Sequence, residues 1–363
     1  MSQERSEVWI QPFTGSVDPM EKLLLINFEE DPDTVYIGFE PQIFDNASNG
    51  QGKLVIGWRM DGKVDVYHEP GIRPDPQKYW IAGNGLNKMQ ILNFEIAEMD
   101  ITDTGIKTHF RFKDLYGRKI EFLIDEKNKK ARKPFDMLAP MGETVANPAG
   151  LPLIFLYDFY FVRRGDTEFR ILIDGKSHRP DKLPVPVDWS NMYFTRYSPK
   201  PLIFILNPDF RGHIEPVQIN SPDDTIHLKD KVLFLTHQNG KHFLEKISFL
   251  NEIAPLEMLF DPPFPNLYGY EGESERRGEF KLISSAEAGS ISGIYSIQKE
   301  KETIFVELIP SGGWKPRPSK VVLGFLYAIA KPFKHWPKKY LWKATVTHSH
   351  GQYYMESAWK RTE

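Results

Sequence analysis

The residue best placed to move a proton is Asp158, because the run from Leu153 to Val162 is otherwise apolar or aromatic. Side chains alternate between the two faces of a strand, so Ile154, Leu156, Asp158, Tyr160 and Val162 would share one face. A turn at Arg164-Gly165 would then set Val162 against Thr167, Tyr160 against Phe169 and Asp158 against Ile171. A lone carboxylate in such surroundings is hard to ionise; its pKa rises, and a raised carboxyl serves as a general acid or base. Asp158 is thus the expected proton carrier, with Tyr160 as the hydrogen-bond donor beside it. The competing reading is a structural aspartate, bound to backbone or to an arginine or turned to solvent by a different register.

From Val187 to Tyr197 the sequence packs Asp188, Trp189, Asn191, Tyr193, Arg196 and Tyr197 into eleven residues, with His178 and Arg179 just upstream. Rings supply contact area and polar tips orient a ligand, so His178, Asp188, Trp189, Tyr193 and Arg196 are the expected substrate-binding residues. An inter-domain seam draws on the same residue types. His237 and His242 would face each other across Asn239-Gly240, but a metal site needs a further ligand and the sequence names none. His348 and His350 have the spacing of one strand face, yet Gly351 points to a turn. No metal site is expected. The stretch from Trp314 to Lys343 joins the apolar run Val321 to Ala330 to Lys331, Lys334, His335, Trp336, Lys338, Lys339, Tyr340 and Lys343. That composition fits a peripheral membrane contact, or single-stranded nucleic acid by stacking and phosphate contacts, but a buried helix followed by a solvated basic loop is the default reading.

Several chemistries have no support. There is no G-x-S-x-G elbow, no Walker A loop and no H-E-x-x-H, and Gly83-Asn84-Gly85 lacks the third glycine of a dinucleotide fingerprint. Without cysteine there are no disulfides, thiolate nucleophiles or thiolate-bound metals, and no cofactor is expected. Forty-six basic against 49 acidic side chains, a net charge of −3, argue against nucleic acid as a partner. The N-terminal stretch is acidic and polar where a secretory signal needs a basic start and an apolar run. The longest apolar runs fall short of the roughly 20 residues of a spanning helix, so a soluble, cytoplasmic protein is expected.

The elements that must position these residues are strands. Period-two alternation recurs along the whole chain, interrupted by short turn signals. Leu54, Ile56, Trp58 and Met60 lead into Asp61-Gly62 and out through Val64 and Val66; Asp-Gly suits a type I′ turn because both central residues need positive φ. Further hairpins are predicted for 106–124 around Tyr116-Gly117, for 153–173 around Arg164-Gly165, and for 232–247 around Asn239-Gly240. Two more join Ile291–Ile297 to Thr303–Leu308 and Leu341–Thr347 to Tyr353–Trp359. Helical turns are expected at Met20 to Leu25 and at Lys320 to Ala330, the latter stopped by Pro332. The Pro-rich segment Arg179 to Pro186 divides the chain near its midpoint, giving an N-terminal domain at 1–180 and a C-terminal domain at 187–363.

Two consecutive antiparallel meanders of this length, with hairpins such as Phe110-Arg111-Phe112 to Gly117-Arg118, resemble the double-calycin architecture of two lipocalin-like barrels. That group includes the AttH-like proteins, the carotenoid hydratases, the tocopherol-cyclase-like proteins and fungal cyclisation enzymes. No signature motif of these families is matched, so none of their catalytic residues is carried over. The expected fold is all-β, with two consecutive barrel or sandwich domains and few short helices. The resemblance implies a small lipophilic ligand in an apolar barrel or inter-domain cavity, with acid–base hydratase, isomerase or cyclase chemistry if the protein is an enzyme. Alternatives are a carbohydrate-binding or carbohydrate-processing sandwich, given 8 Trp, 15 Tyr and 25 Phe, and a peripheral membrane-associated protein using 314–343.

Overall fold

The computed structural model describes residues 7–79, 84–102, 104–128, 130, 132–139, 147–219, 224–272, 275–285, 287–329 and 336–362. In chain order these form β1 (Glu7–Trp9), β2 (Gly15–Pro19), β3 (Lys22–Asn27), β4 (Tyr36–Asn46), β5 (Gly50–Arg59), β6 (Val64–His68), the single helical turn α1 (Pro76–Tyr79), β7 (Leu86–Ile91), β8 (Ile96–Thr102), β9 (Gly105–Lys113) and β10 (Lys119–Glu126). They continue through β11 (Phe135–Ala139), β12 (Leu151–Arg163), β13 (Thr167–Ile173), β14 (Lys176–His178), β15 (Met192–Ser198), β16 (Lys200–Leu206), β17 (Phe210–Ile214), β18 (Val217–Ile219) and β19 (Thr225–His227). The last third holds β20 (Lys231–Gln238), β21 (Lys241–Phe249), β22 (Glu257–Pro265), β23 (Arg276–Ile283), β24 (Ser290–Glu300), β25 (Thr303–Lys315), the helix α2 (Val321–Ile329), β26 (Tyr340–Ser349) and β27 (Gln352–Arg361).

The protein is almost all β, as the alternation predicts. Five of the six predicted hairpins form with the expected turns. Trp58 pairs with Val64 around Gly62 at φ 78°, and His237 pairs with His242 around Asn239 and Gly240 at φ 52° and 78°. Ile120 lies opposite Phe112, Ile297 opposite Val306, and Val346 opposite Met355.

The 153–173 hairpin does not form. β12 pairs with β16 over Leu151 to Tyr157 and with β15 over Tyr160 to Arg163, whereas β13 pairs with β10 and β14 in a different sheet. The turn chemistry at Gly165 and Asp166 is genuine, with Asp166 at φ 58°, but it carries the chain from one sheet to the facing one. Met20 to Leu25 is not helical either, because Lys22 to Asn27 form strand β3 between β15 and β4. Leu23 faces one core and Leu24 and Ile26 the other. A strand buried on both faces reads as a continuous apolar run, in which the period of two is lost.

The first large sheet runs β2-β16-β12-β15-β3-β4-β5-β6-β7, with β11 added on β12. A five-stranded sheet, β14-β13-β10-β9-β8, covers one of its faces. Between them lies a core in which Phe39 stacks on Phe122 at 5.5 Å and Phe122 on Phe110 at 5.2 Å. β15 and β16, just after residue 187, are part of this sheet, paired to β3 and β2 respectively.

The second large sheet is a meander from β19 to β27 with β17 at its far edge, curled into a half-barrel. The N-terminal segment occupies its concave side. β1 pairs with β18, Ile10 O accepts from Leu267 N at 3.0 Å, and Phe13 packs between Phe264 and Phe260 at 4.7 and 4.9 Å. One apolar core therefore runs from this half-barrel to the far face of the first sheet.

α2 forms where Lys320 to Ala330 was expected, over Val321 to Ile329. Lys331, Lys334 and His335 lie outside the described residues. Trp314, Trp336 and Tyr340, which a membrane contact would place at the lipid surface, are buried in the core. No helix among the described residues is long and apolar enough to cross a membrane.

Candidate functional site

Asp158 sits where β12 passes from β16 to β15, at φ 49°. The left-handed conformation bends the strand, which allows one long segment to serve two stretches of a twisted sheet. Its side chain is 37% exposed and pairs with Lys200 Nζ at 2.6 Å, while its backbone N–H donates to Asp136 Oδ1 at 3.2 Å. The apolar ring expected from Ile171 and its neighbours is absent here, because β13 is in the facing sheet. Tyr160 points the other way from the bend and stacks on Tyr197 at 5.6 Å, beneath the guanidinium of Arg132 at 4.4 Å from its ring. Burial raises the Tyr160 hydroxyl above its ordinary pKa, with Arg132 opposing.

The residues expected around 187–197 do not converge. His178 is buried, with Nδ1 against the carbonyl of Asp31 at 2.9 Å and its ring 5.7 Å from Phe28. Asp188 and Trp189 form a surface turn. Tyr193 packs edge-on against Phe169 at 4.8 Å, on the sandwich side of β15. Arg196, an odd number of residues further along, points to the opposite face. His237 and His242 have rings 5.1 Å apart, with Asp224 Oδ1 3.3 Å from His242 Nε2. No group of three or more potential metal ligands gathers among the described residues.

Arg196 shares its sheet face with a carboxylate that the sequence does not single out, Glu40. Arg196 lies opposite Leu25 in β3, and Glu40 lies on β4 opposite Ile56 in β5. Strand β3 separates them, so at about 4.8 Å per strand their backbones are about 10 Å apart, a gap that two long side chains largely span. Glu40 is 7% exposed. It accepts hydrogen bonds from Gln42 Nε2 at 2.8 Å and from the Trp58 indole at 3.0 Å, and no ion pair among the described residues reaches it. Gly38, between Asn27 and Trp58 in register, keeps this corner close-packed, since a Cβ there would stand 2.8 Å from the Ile26 carbonyl oxygen.

The electrostatics of the pair follow from depth. Burial pushes the Glu40 carboxyl above the usual carboxylate range, with its two hydrogen bonds and Arg196 opposing. Burial also lowers the Arg196 guanidinium to about 10, against the pull of Glu40 and Glu29. Arg196 Nη1 donates to Asn27 Oδ1 at 2.7 Å and to Phe194 O at 3.1 Å, and its guanidinium lies 4.6 Å from the Phe194 ring. Nε and Nη2 make no hydrogen bond among the described residues. The side chain nonetheless keeps accessible surface. Glu40, Gln42, Trp58 and Arg196 form the polar part of this sheet face, and Leu25 and Ile56 stand between and beside them.

A weak signal for Glu40 was present. Tyr36 to Asn46 ends in the turn-rich Asn46-Ala47-Ser48-Asn49-Gly50, and folding it back on Leu54, Ile56 and Trp58 sets Glu40 in a row already marked as apolar. Two further buried carboxylates are satisfied by hydrogen bonds within the fold. Asp65 accepts from Tyr36, Arg59 and Asn87, and Glu126 accepts from Arg132 and two backbone N–H groups. Comparison of the chain with protein-family models, curated proteins and solved structures finds no match.

Proposed function

We propose that the Glu40–Arg196 face of the first sheet lines a recess that binds a small, mainly apolar molecule with one anionic or strongly polar head, and that Glu40 is the group that exchanges a proton with it. The observation that supports this most directly is a buried carboxyl with a raised pKa and no ion-pair partner among the described residues, on the same sheet face as a guanidinium whose Nε and Nη2 make no hydrogen bond among them. Arg196 holds the charge of the head group, and the Glu40 carboxyl is a proton donor whenever it is protonated, a form that burial favours. The chemistry resembles what the sequence suggests for Asp158, with the acid moved to another strand. Hydration, isomerisation or cyclisation of a lipophilic substrate suits this pair. The curled meander of the second half is in keeping with a lipocalin-like reading of the chain.

Native mass spectrometry of the purified protein, followed by solvent extraction, tests the ligand class, and calorimetric titration with decanoate tests the head-group assignment. The expected result is one bound apolar species and a decanoate affinity that falls about tenfold or more in Arg196→Leu. An empty protein that also ignores decanoate would overturn the proposal.

A second reading has its own observation. Tyr268, Tyr270, Tyr353 and His348 line an open cleft of about 350 Å³ with Lys299 and Glu302 at its edge. Rings flanked by charged hydrogen-bonding groups suit a sugar face, and glycan-array binding abolished by Tyr353→Ala would favour carbohydrate recognition there.

A further inference from the structure

The turn at Asp188-Trp189 is constructed to present an indole outward. Val187 and Ser190 exchange both backbone hydrogen bonds at 3.0 Å, leaving Asp188 and Trp189 as a two-residue turn with φ of 51° and 60°. Positive φ at both positions is the pattern Asn-Gly or Asp-Gly normally fills, and a bulky side chain there strains the backbone. Trp189 recovers little through packing, since it is 95% exposed. The turn is braced all the same. Lys320 Nζ reaches Asp188 Oδ2 at 2.5 Å and Lys133 O at 3.0 Å, and Lys130 Nζ reaches Asp188 O at 3.2 Å.

Lys320 leads directly into α2, which brings the helix to the turn. On α2 the exposed positions Val321, Phe325 and Ala328 recur at helical spacing, while Leu323 and Tyr327 face the core. Val321 is 91% exposed and Phe325 55%. Bordering them are the exposed Lys130 and Lys133, tied to the turn through Asp188 and Lys320. The one acidic side chain of the turn, Asp188, is already neutralised by Lys320.

We propose that this face docks on an anionic phospholipid surface, with Trp189, Val321 and Phe325 at headgroup depth and Lys130 and Lys133 against phosphate. A rigid indole, an apolar helix face and adjacent lysines are the elements such contacts use. Charge selects this occupant over a second copy of the chain, because a symmetric dimer through this face would bring the same cations together. The face lies outside the Glu40 recess, so Trp189→Ala should leave decanoate titration unchanged, and the two proposals fail separately.

The test is co-sedimentation of the full chain with phosphatidylcholine vesicles prepared with and without phosphatidylglycerol. Binding is expected only to the mixed vesicles, weakening with salt and falling about tenfold or more in Trp189→Ala. Brominated lipid should quench the wild-type fluorescence more than that of Trp189→Phe, which keeps an aromatic anchor and so keeps binding. Absence of binding to the mixed vesicles overturns the proposal. So does binding unaltered in the double variant Trp189→Ala, Phe325→Ser, and so does a concentration-dependent dimer that Trp189→Ala abolishes.

Discussion

Phe13 joins the N-terminal segment to the half-barrel, and truncating it to alanine measures that junction. The ring is fully buried, 4.7 Å from Phe264, 4.9 Å from Phe260 and 5.8 Å from Trp342. A phenylalanine side chain removes about 200 Å² from water, worth about 5 kcal/mol at 25 cal/mol per Å² as an upper bound. Buried Phe→Ala changes elsewhere run at about 3–5 kcal/mol, cavity term included. The hydrogen bond from Lys231 Nζ, at 2.9 Å, is made to the Phe13 carbonyl and survives the substitution. We therefore expect Phe13→Ala to lower stability by about 4 kcal/mol, read from urea unfolding at neutral pH. The surrounding aromatic side chains limit collapse, so the variant should also gain stability on addition of benzene, which binds dry apolar cavities. A loss below about 1 kcal/mol would refute the reasoning, since it would mean the ring contributes no packing. An altered denaturant slope would mean instead that the whole segment detaches.

Glu40→Gln tests the buried acid through pH. The folded-state pKa of Glu40 is raised above the ordinary 4.5, so the folded chain binds this proton more tightly than the unfolded one. That stabilisation is complete below the unfolded pKa and is lost as pH rises through the folded value. Glutamine imitates the neutral form, so the variant should gain on wild type as pH rises from acid to neutral, and a flat difference in urea midpoints would contradict the assignment. Trp189→Gly should raise stability by about 0.5 kcal/mol, because about 1–2 kcal/mol of left-handed strain is relieved against about 0.5–1 kcal/mol of glycine entropy. A destabilisation above about 1 kcal/mol would show that the indole packs after all. Asp158→Asn removes a surface pair with Lys200 and should change stability by no more than about 1 kcal/mol; a larger loss in the same unfolding assay would return Asp158 to a buried role.

Local chemistry was legible wherever neighbours in sequence are neighbours in space. Asp61-Gly62 and Asn239-Gly240 specify their hairpins because the turn type and the alternation on either side act within a dozen residues. The same logic placed α2, whose apolar run has no period of two and ends before Pro332. It failed at Arg164-Gly165, where the turn residues are right and the partner is wrong. Nothing in 153–173 states that β12 is shared by β15 and β16, or that β13 answers to β10. It failed at β3 for a related reason, since burial between two cores erases the pattern that marks a strand.

The site divides along the same line. Arg196 was chosen for its residue type and its aromatic neighbourhood, both readable along the chain. Its partner lies 156 positions upstream, and only the β15-β3-β4 order brings the two together. Asp158 looked like a buried acid because an apolar run implies an apolar face, whereas burial is a property of what packs on that face. The sequence by itself determined that the chain would be strands, where most of them turn back and which side chains could carry charge. Tertiary structure alone decided which carboxyl lost its water and which aromatic kept it, because desolvation depends on elements far apart in the chain and exposure on what the fold leaves uncovered.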